Sequence, residues 1–134
     1  MSKQFKILLL GDAGVGKTTF INRLAGGGFD QKYEPTQGVN IHPIKLLTNK
    51  CEVILNIWDF AGYERFNDRS NEYKCADAAI LMADLNSELS YNSLGYWHYK
   101  CKSLPAVLCV NKCDGKSTKI DIDKTKFHKR IELI

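Results

Sequence analysis

A doubly wound α/β fold with a mostly parallel sheet is predicted by three features of the 134-residue chain. Apolar runs at 7–10, 78–83 and 106–110 have the continuous character of buried strands and alternate with helical segments, as in a sheet sandwiched between two helical layers. A glycine-rich stretch, Gly11-Asp12-Ala13-Gly14-Val15-Gly16-Lys17-Thr18, joins the first run to the first helix. Short polar signatures follow the later runs, at the carboxyl ends of strands where such sheets bind ligands.

Taken in order, Phe5–Leu10 is a strand and Lys17–Ala25 a helix, after which Gly26-Gly27-Gly28 breaks the chain. The polar stretch Tyr33–Gly38 contains Pro35 and reads as a loop without regular structure. Val39–Leu47 and Cys51–Trp58 are strands, and the Thr48-Asn49-Lys50 link between them is a hairpin signal. Ala78–Ala83 and Ala106–Val110 are further strands, with an aromatic-rich helix over Tyr91–Lys102 between them. Ile131-Glu132-Leu133-Ile134 reads as the start of a last strand. The length suits one domain, residues 1–134, around a single core.

Composition narrows the class. Apolar residues make up 44% and charged residues 25%, the balance of an ordinary globular domain. No apolar run has the length of a membrane span, the amino-terminal residues carry no signal-peptide core, and no prenylation cysteine closes the chain; no membrane anchor is expected. The net charge of +4 is small, and the basic cluster Lys124–Arg130 reads as a solvated helix face, so no direct nucleic-acid binding is expected. Five cysteines without a Cys-x-x-Cys pair read as reduced, core-filling thiols. A monomer is expected.

The glycine stretch fits G-x-x-x-x-G-K-[ST] and lies where that pattern has a mechanism. Backbone N–H groups of a loop that opens a helix converge on an anion. The pattern is met by chance about once in two hundred chains of this length, and the preceding strand lowers that further. This is a P-loop: Asp12 to Gly16 would cradle phosphates, Lys17 would reach the β- and γ-phosphates, and Thr18 would ligate Mg²⁺. Asp59 ends Val53-Ile54-Leu55-Asn56-Ile57-Trp58 and opens Asp-x-x-Gly with Gly62. Its carboxylate can hold hydrated Mg²⁺, and Gly62, lacking a side chain, can bring its N–H close to a γ-phosphate. In Asn111-Lys112-Cys113-Asp114, the Asp114 carboxylate can accept two hydrogen bonds from guanine, with Asn111 and Lys112 bracing the pocket. Thr36 is placed to close over the γ-phosphate as a second Mg²⁺ ligand, and Phe29 to lie edge-on to the purine.

With these motifs in this order the chain resembles the Ras-type small GTPases, and among them the Ran-type branch of nuclear transport. The local wording is Gln4-Phe5-Lys6, Gly16-Lys17-Thr18-Thr19-Phe20, Thr36-Gln37-Gly38-Val39-Asn40-Ile41-His42-Pro43, Trp97-His98, Val107-Leu108-Cys109 and Phe127-His128-Lys129-Arg130. The resemblance implies a P-loop NTPase G-domain that binds GTP or GDP with Mg²⁺. Gly14, Gly16, Lys17, Thr18 and Thr19 would contact phosphate or metal. Tyr33–Gly38 would form the first switch, with Tyr33 and Thr36 facing the nucleotide, and residues from Asp59 to about Asn71 the second. The reaction would rest on Lys17, Thr36, Gly62 and Tyr63. Implied partners are importin-β-like receptors and Ran regulators, in nucleus and cytoplasm.

Three departures qualify this. Tyr63 stands where the family carries the glutamine that orients the attacking water, and a phenol lacks the carboxamide's paired donor and acceptor. Ala13 replaces a glycine beside the γ-phosphate. The sequence also stops where the family continues with most of the last strand, a guanine loop and a final helix, so the fold is expected to lack them and to leave apolar sheet exposed. Two functional readings follow: a GTP-binding switch with slow or impaired hydrolysis, or a non-enzymatic Ran-mimicking binding module that holds nucleotide weakly or not at all.

Overall fold

The computed structural model describes residues 3–24, 32–34, 39–60, 73–111 and 130–132. In chain order they form β1 (Lys3–Leu10), α1 (Lys17–Leu24), β2 (Lys32–Glu34), β3 (Val39–Leu47), β4 (Glu52–Phe60), β5 (Ala78–Asp84), α2 (Glu88–Asn92), α3 (Leu94–Lys100), β6 (Ala106–Asn111) and β7 (Arg130–Glu132). The strands make one seven-stranded sheet in the order β2-β3-β4-β1-β5-β6-β7. The five strands from β4 to β7 run parallel, while β2 and β3 add an antiparallel edge. The mostly parallel, doubly wound α/β sheet expected of a G-domain is therefore present.

Alternating side chains of the central strands feed two cores, as the period of two requires. Leu8 and Leu10 of β1, Leu81 and Ala83 of β5, and Leu108 and Val110 of β6 pack with Leu94 and Trp97 of α3. Leu9, Met82 and Cys109, from the intervening positions, pack with Ile57 of β4 and Ile21 of α1. Both faces are thus buried, which is why the strands read as unbroken apolar runs. Cys109 and Cys101 are buried in these layers, and burial pushes the Cys101 thiol up to about 11. Cys75 is exposed and Cys51 half-buried, so the core-filling expectation fails for Cys75, which lies in the turn before β5.

The structure changes three expectations. Tyr33 and Glu34 are not irregular: they belong to β2 and pair with Asn40 and Val39 of β3. Without β2, β3 would be the edge strand, and its unpaired N–H and C=O groups can capture a neighbouring segment whatever its side chains. The third sequence-predicted strand runs through Asp59 to Phe60, which pairs with Val39. The helix expected over Tyr91–Lys102 is two shorter ones. Ser87 caps α2 by accepting from the Ser90 N–H at 3.2 Å, so the helical segment begins earlier than its apolar pattern. At Ser93 the chain leaves α2, and the Ser93 hydroxyl donates back to the Leu89 carbonyl at 3.1 Å, a bond that bends helices.

The hairpin expected at Thr48-Asn49-Lys50 forms. The Thr48 N–H donates to the Cys51 carbonyl at 3.0 Å, and its side-chain oxygen accepts from the Lys50 and Cys51 N–H groups. The expected last strand begins as β7, parallel to β6 with Ile131 opposite Cys109. Gly26-Gly27-Gly28, the rest of the expected first switch and the basic cluster up to Lys129 lie outside the described residues; Arg130, expected on a helix face, instead starts β7 opposite Leu108. No helix among the described residues is long and apolar enough to cross a membrane.

Candidate nucleotide-binding site

Because β4, β1, β5 and β6 run parallel, their carboxyl ends share one edge of the sheet. Leu9 lies opposite Asp59, Leu10 opposite Leu81, and Asp84 opposite Asn111. The loop 11–16 leaves β1 at the middle of this edge, and α1 starts at Lys17. Two glycines make that path possible. A Cβ at Gly11 would run into the Met82 carbonyl oxygen. At Gly16, φ is +99° and a Cβ would collide with the Asn111 amide, so only glycine suits the position.

Lys17 is 5% exposed, unusual for a lysine. Its ammonium donates to the carbonyl oxygens of Gly11 at 2.8 Å and Asp12 at 3.0 Å, which holds the charge over the loop. From β6, the Asn111 side-chain amide donates to the Val15 carbonyl at 3.0 Å. From α3, the indole N–H of Trp97 donates to the Asp12 carboxylate at 3.0 Å. Ala13 and Gly14 sit exposed at the tip. The first turn of α1 opens beside them, and a helix N-terminus favours an anion.

The Thr18 hydroxyl donates to Oδ2 of Asp59 at 2.8 Å. Asp59 is 3% exposed, and its other oxygen, Oδ1, has no hydrogen-bond partner among the described residues. Burial pushes this carboxyl above its ordinary value, against the Thr18 hydrogen bond and the charges of Lys17 and His42. His42, buried on β3 opposite Ile57, is held below the usual histidine range by burial, with the Asp59 charge opposing. A hydroxyl and a buried carboxylate oxygen lacking a partner are hard donors that fit a magnesium ion. Thr18 and Asp59 would hold the ion, and its charge would neutralise the β- and γ-phosphate oxygens.

The burial of Asp59 has a pH consequence. Its folded-state pKa lies above the unfolded value near 3.9. Its stabilising contribution is therefore complete below about pH 4 and lost as pH rises through the folded value. In the magnesium-free, nucleotide-free protein, Asp59→Asn is expected to be more stable than the parent at pH 7 by about 1 kcal/mol. The difference should close toward pH 4, and magnesium-dependent nucleotide binding should weaken about tenfold in the same variant. Denaturant melts at the two pH values check the first part; equal stability at both would contradict it.

Of the residues singled out in the sequence, Asp12, Val15, Gly16, Lys17, Thr18, Asp59 and Asn111 come together here. Thr19 is exposed on the first turn of α1, and Tyr33 contributes backbone pairing in β2. Phe29, Thr36, Gly62, Tyr63, Lys112 and Asp114 lie outside the described residues. Sequence reasoning gave no role to Trp97, 85 positions from Asp12, or to His42. No local pattern marks either one; a large aromatic in a helix beside the ligand edge was the one available signal.

A strand, a glycine loop and a helix bearing a buried lysine, with a threonine–aspartate pair beside them, define a phosphate-binding nucleotide protein of the doubly wound α/β class. Residues 6–114 match the Roc family, described as "Ras of Complex, Roc, domain of DAPkinase". The chain belongs to this family of Ras-like GTPase domains and is a GTP-binding small GTPase of that general type. The match ends at Asp114, the last residue of the Asn111–Asp114 signature.

Proposed function

We propose that this chain is a Ran-like GTP-binding switch with slow hydrolysis, acting in or competing with nucleocytoplasmic transport in the nucleus and cytoplasm. The observation that carries the nucleotide part is the joining of Lys17, Thr18, Asp59 and Asn111 around one loop at the carboxyl edge of the sheet. Asp12 to Thr19 would bind the phosphates, Thr18, Asp59 and Thr36 the Mg²⁺, and Asn111, Lys112 and Asp114 the guanine, with Phe29 and Tyr33 flanking it. Gly62 and Thr36 would bond the γ-phosphate. Tyr63 in place of a water-orienting glutamine supports slow turnover, because phosphoryl transfer depends on positioning and charge stabilisation.

The Ran-like part rests on the wording around Thr36–Pro43 and Trp97-His98 and points to importin-β-like receptors and Ran regulators. Immobilised importin-β tests it. The GTP-loaded chain is expected to bind at least about tenfold more tightly than the GDP-loaded chain, a coupling of the usual size between two ligands. Equal binding of both forms, or none, would remove the transport role and leave a GTPase domain with other partners.

A further inference from the structure

We propose that Trp97 is a positioning residue for the phosphate loop and acts on it through the Asp12 side chain; this rests on reading Gly11–Thr18 as the phosphate cradle. Trp97 is fully buried in the core shared by Leu10, Leu81, Ala83 and Val110. Its backbone N–H bonds the Ser93 carbonyl, the Cys101 thiol donates to its carbonyl at 3.4 Å, and Tyr96 meets its ring edge-on at 5.1 Å. The indole is thus a fixed object. A buried indole N–H requires an acceptor, and here the acceptor is Oδ1 of Asp12 at 3.0 Å.

Asp12 joins this anchor to the chemistry. Its carbonyl receives the Lys17 ammonium at 3.0 Å, so the residue pinned by Trp97 also helps to place the charge that would meet the phosphates. The loop beyond turns through Gly14 at φ +84° and Gly16 at +99°. It is tied from α3 at Asp12 and from β6 at Val15. Both ties reduce the ordering that a triphosphate must otherwise impose, and such preorganisation shows mainly in the dissociation rate. Trp97 touches no ligand atom in this scheme.

The test compares release of a fluorescent GTP analogue, and amide hydrogen exchange at residues 13–16 without nucleotide, in the full chain and its variants. Trp97→Phe keeps a buried ring and removes the donor. It is expected to release the analogue about tenfold faster, the size of a lost hydrogen bond to a charged group, and to exchange the loop amides faster. Asp12→Ala should do the same, and Asp12→Asn, which keeps an acceptor, should release more slowly than Asp12→Ala. In the Trp97→Phe background the two Asp12 variants should no longer differ, a pattern that general loss of packing does not produce.

Folded Trp97→Phe with parental release and parental exchange would overturn the proposal. So would the two Asp12 variants differing equally in both backgrounds. Should Trp97→Phe not fold, the parental comparison of Asp12→Ala with Asp12→Asn decides. A parent that binds no guanine nucleotide would refute the functional reading, and the exchange arm would still decide the role of Trp97.

Discussion

Replacing Lys17 by alanine is expected to weaken GTP binding by at least about a hundredfold while leaving the fold in place. The ammonium is buried, and the carbonyls of Gly11 and Asp12 hold it at 2.8 and 3.0 Å. Its position over the loop is therefore set before any ligand arrives, and little ordering cost is charged to binding. Charge-assisted hydrogen bonds contribute about 1.5–3 kcal/mol each, so losing those to two phosphate oxygens accounts for a hundredfold or more. The fold should tolerate the change, since alanine is the better helix former at the start of α1. Titration with a fluorescent GTP analogue, beside a thermal melt of the same variant, measures both. Affinity within about twofold of the parent in a folded variant would show that the nucleotide lies elsewhere.

Tyr63→Gln is expected to raise the rate of GTP hydrolysis at least about tenfold, since a group positioned on the reacting water contributes about 10²–10⁴. A carboxamide can accept from the attacking water with its oxygen and donate to a γ-phosphate oxygen with its nitrogen; a phenol has one rigidly held hydroxyl for both tasks. Affinity for GTP should change little, since the substitution adds an interaction made with the water. Single-turnover hydrolysis, with and without an activating protein, measures the effect. The Ala13→Gly change belongs in the same series: its gain should be confined to the activated reaction, where an arginine must reach the γ-phosphate past the loop tip. An unchanged rate for Tyr63→Gln in both conditions would remove Tyr63 as the cause of slow turnover.

The central strands were legible because both faces of the sheet are covered. Ile7–Leu10, Ala78–Ala83 and Ala106–Val110 carry apolar side chains toward both helical layers, so burial itself writes the pattern. The β3–β4 hairpin was legible through its turn residues. Lys32-Tyr33-Glu34 carried no such mark, because the pairing that makes it a strand comes from the free edge of β3. The break at Ser93 was hidden for a different reason. Tyr91, Leu94 and Trp97 keep helical spacing across it, while the Ser93 and Ser87 hydroxyls redirect the backbone.

The site divides in the same way. Lys17, Thr18, Asp59 and Asn111 stood out because phosphate, metal and base each demand particular groups at strand ends. Their mutual contacts, Thr18 with Asp59 and Asn111 with Val15, follow once the parallel strands bring those ends together. The bond from Trp97 to Asp12 depends on where α3 crosses the sheet edge, a property of packing that no short segment records.

The nucleotide that travels with the protein bears most directly on the central claim. Purified without added nucleotide, then denatured, the chain should release GTP, identified by ion-exchange chromatography, as expected of a GTP-binding domain whose proposed hydrolysis is slow. Release of GDP would contradict the slow-hydrolysis reading of Tyr63, and an empty protein that also fails to take up GTP with Mg²⁺ would contradict the site itself.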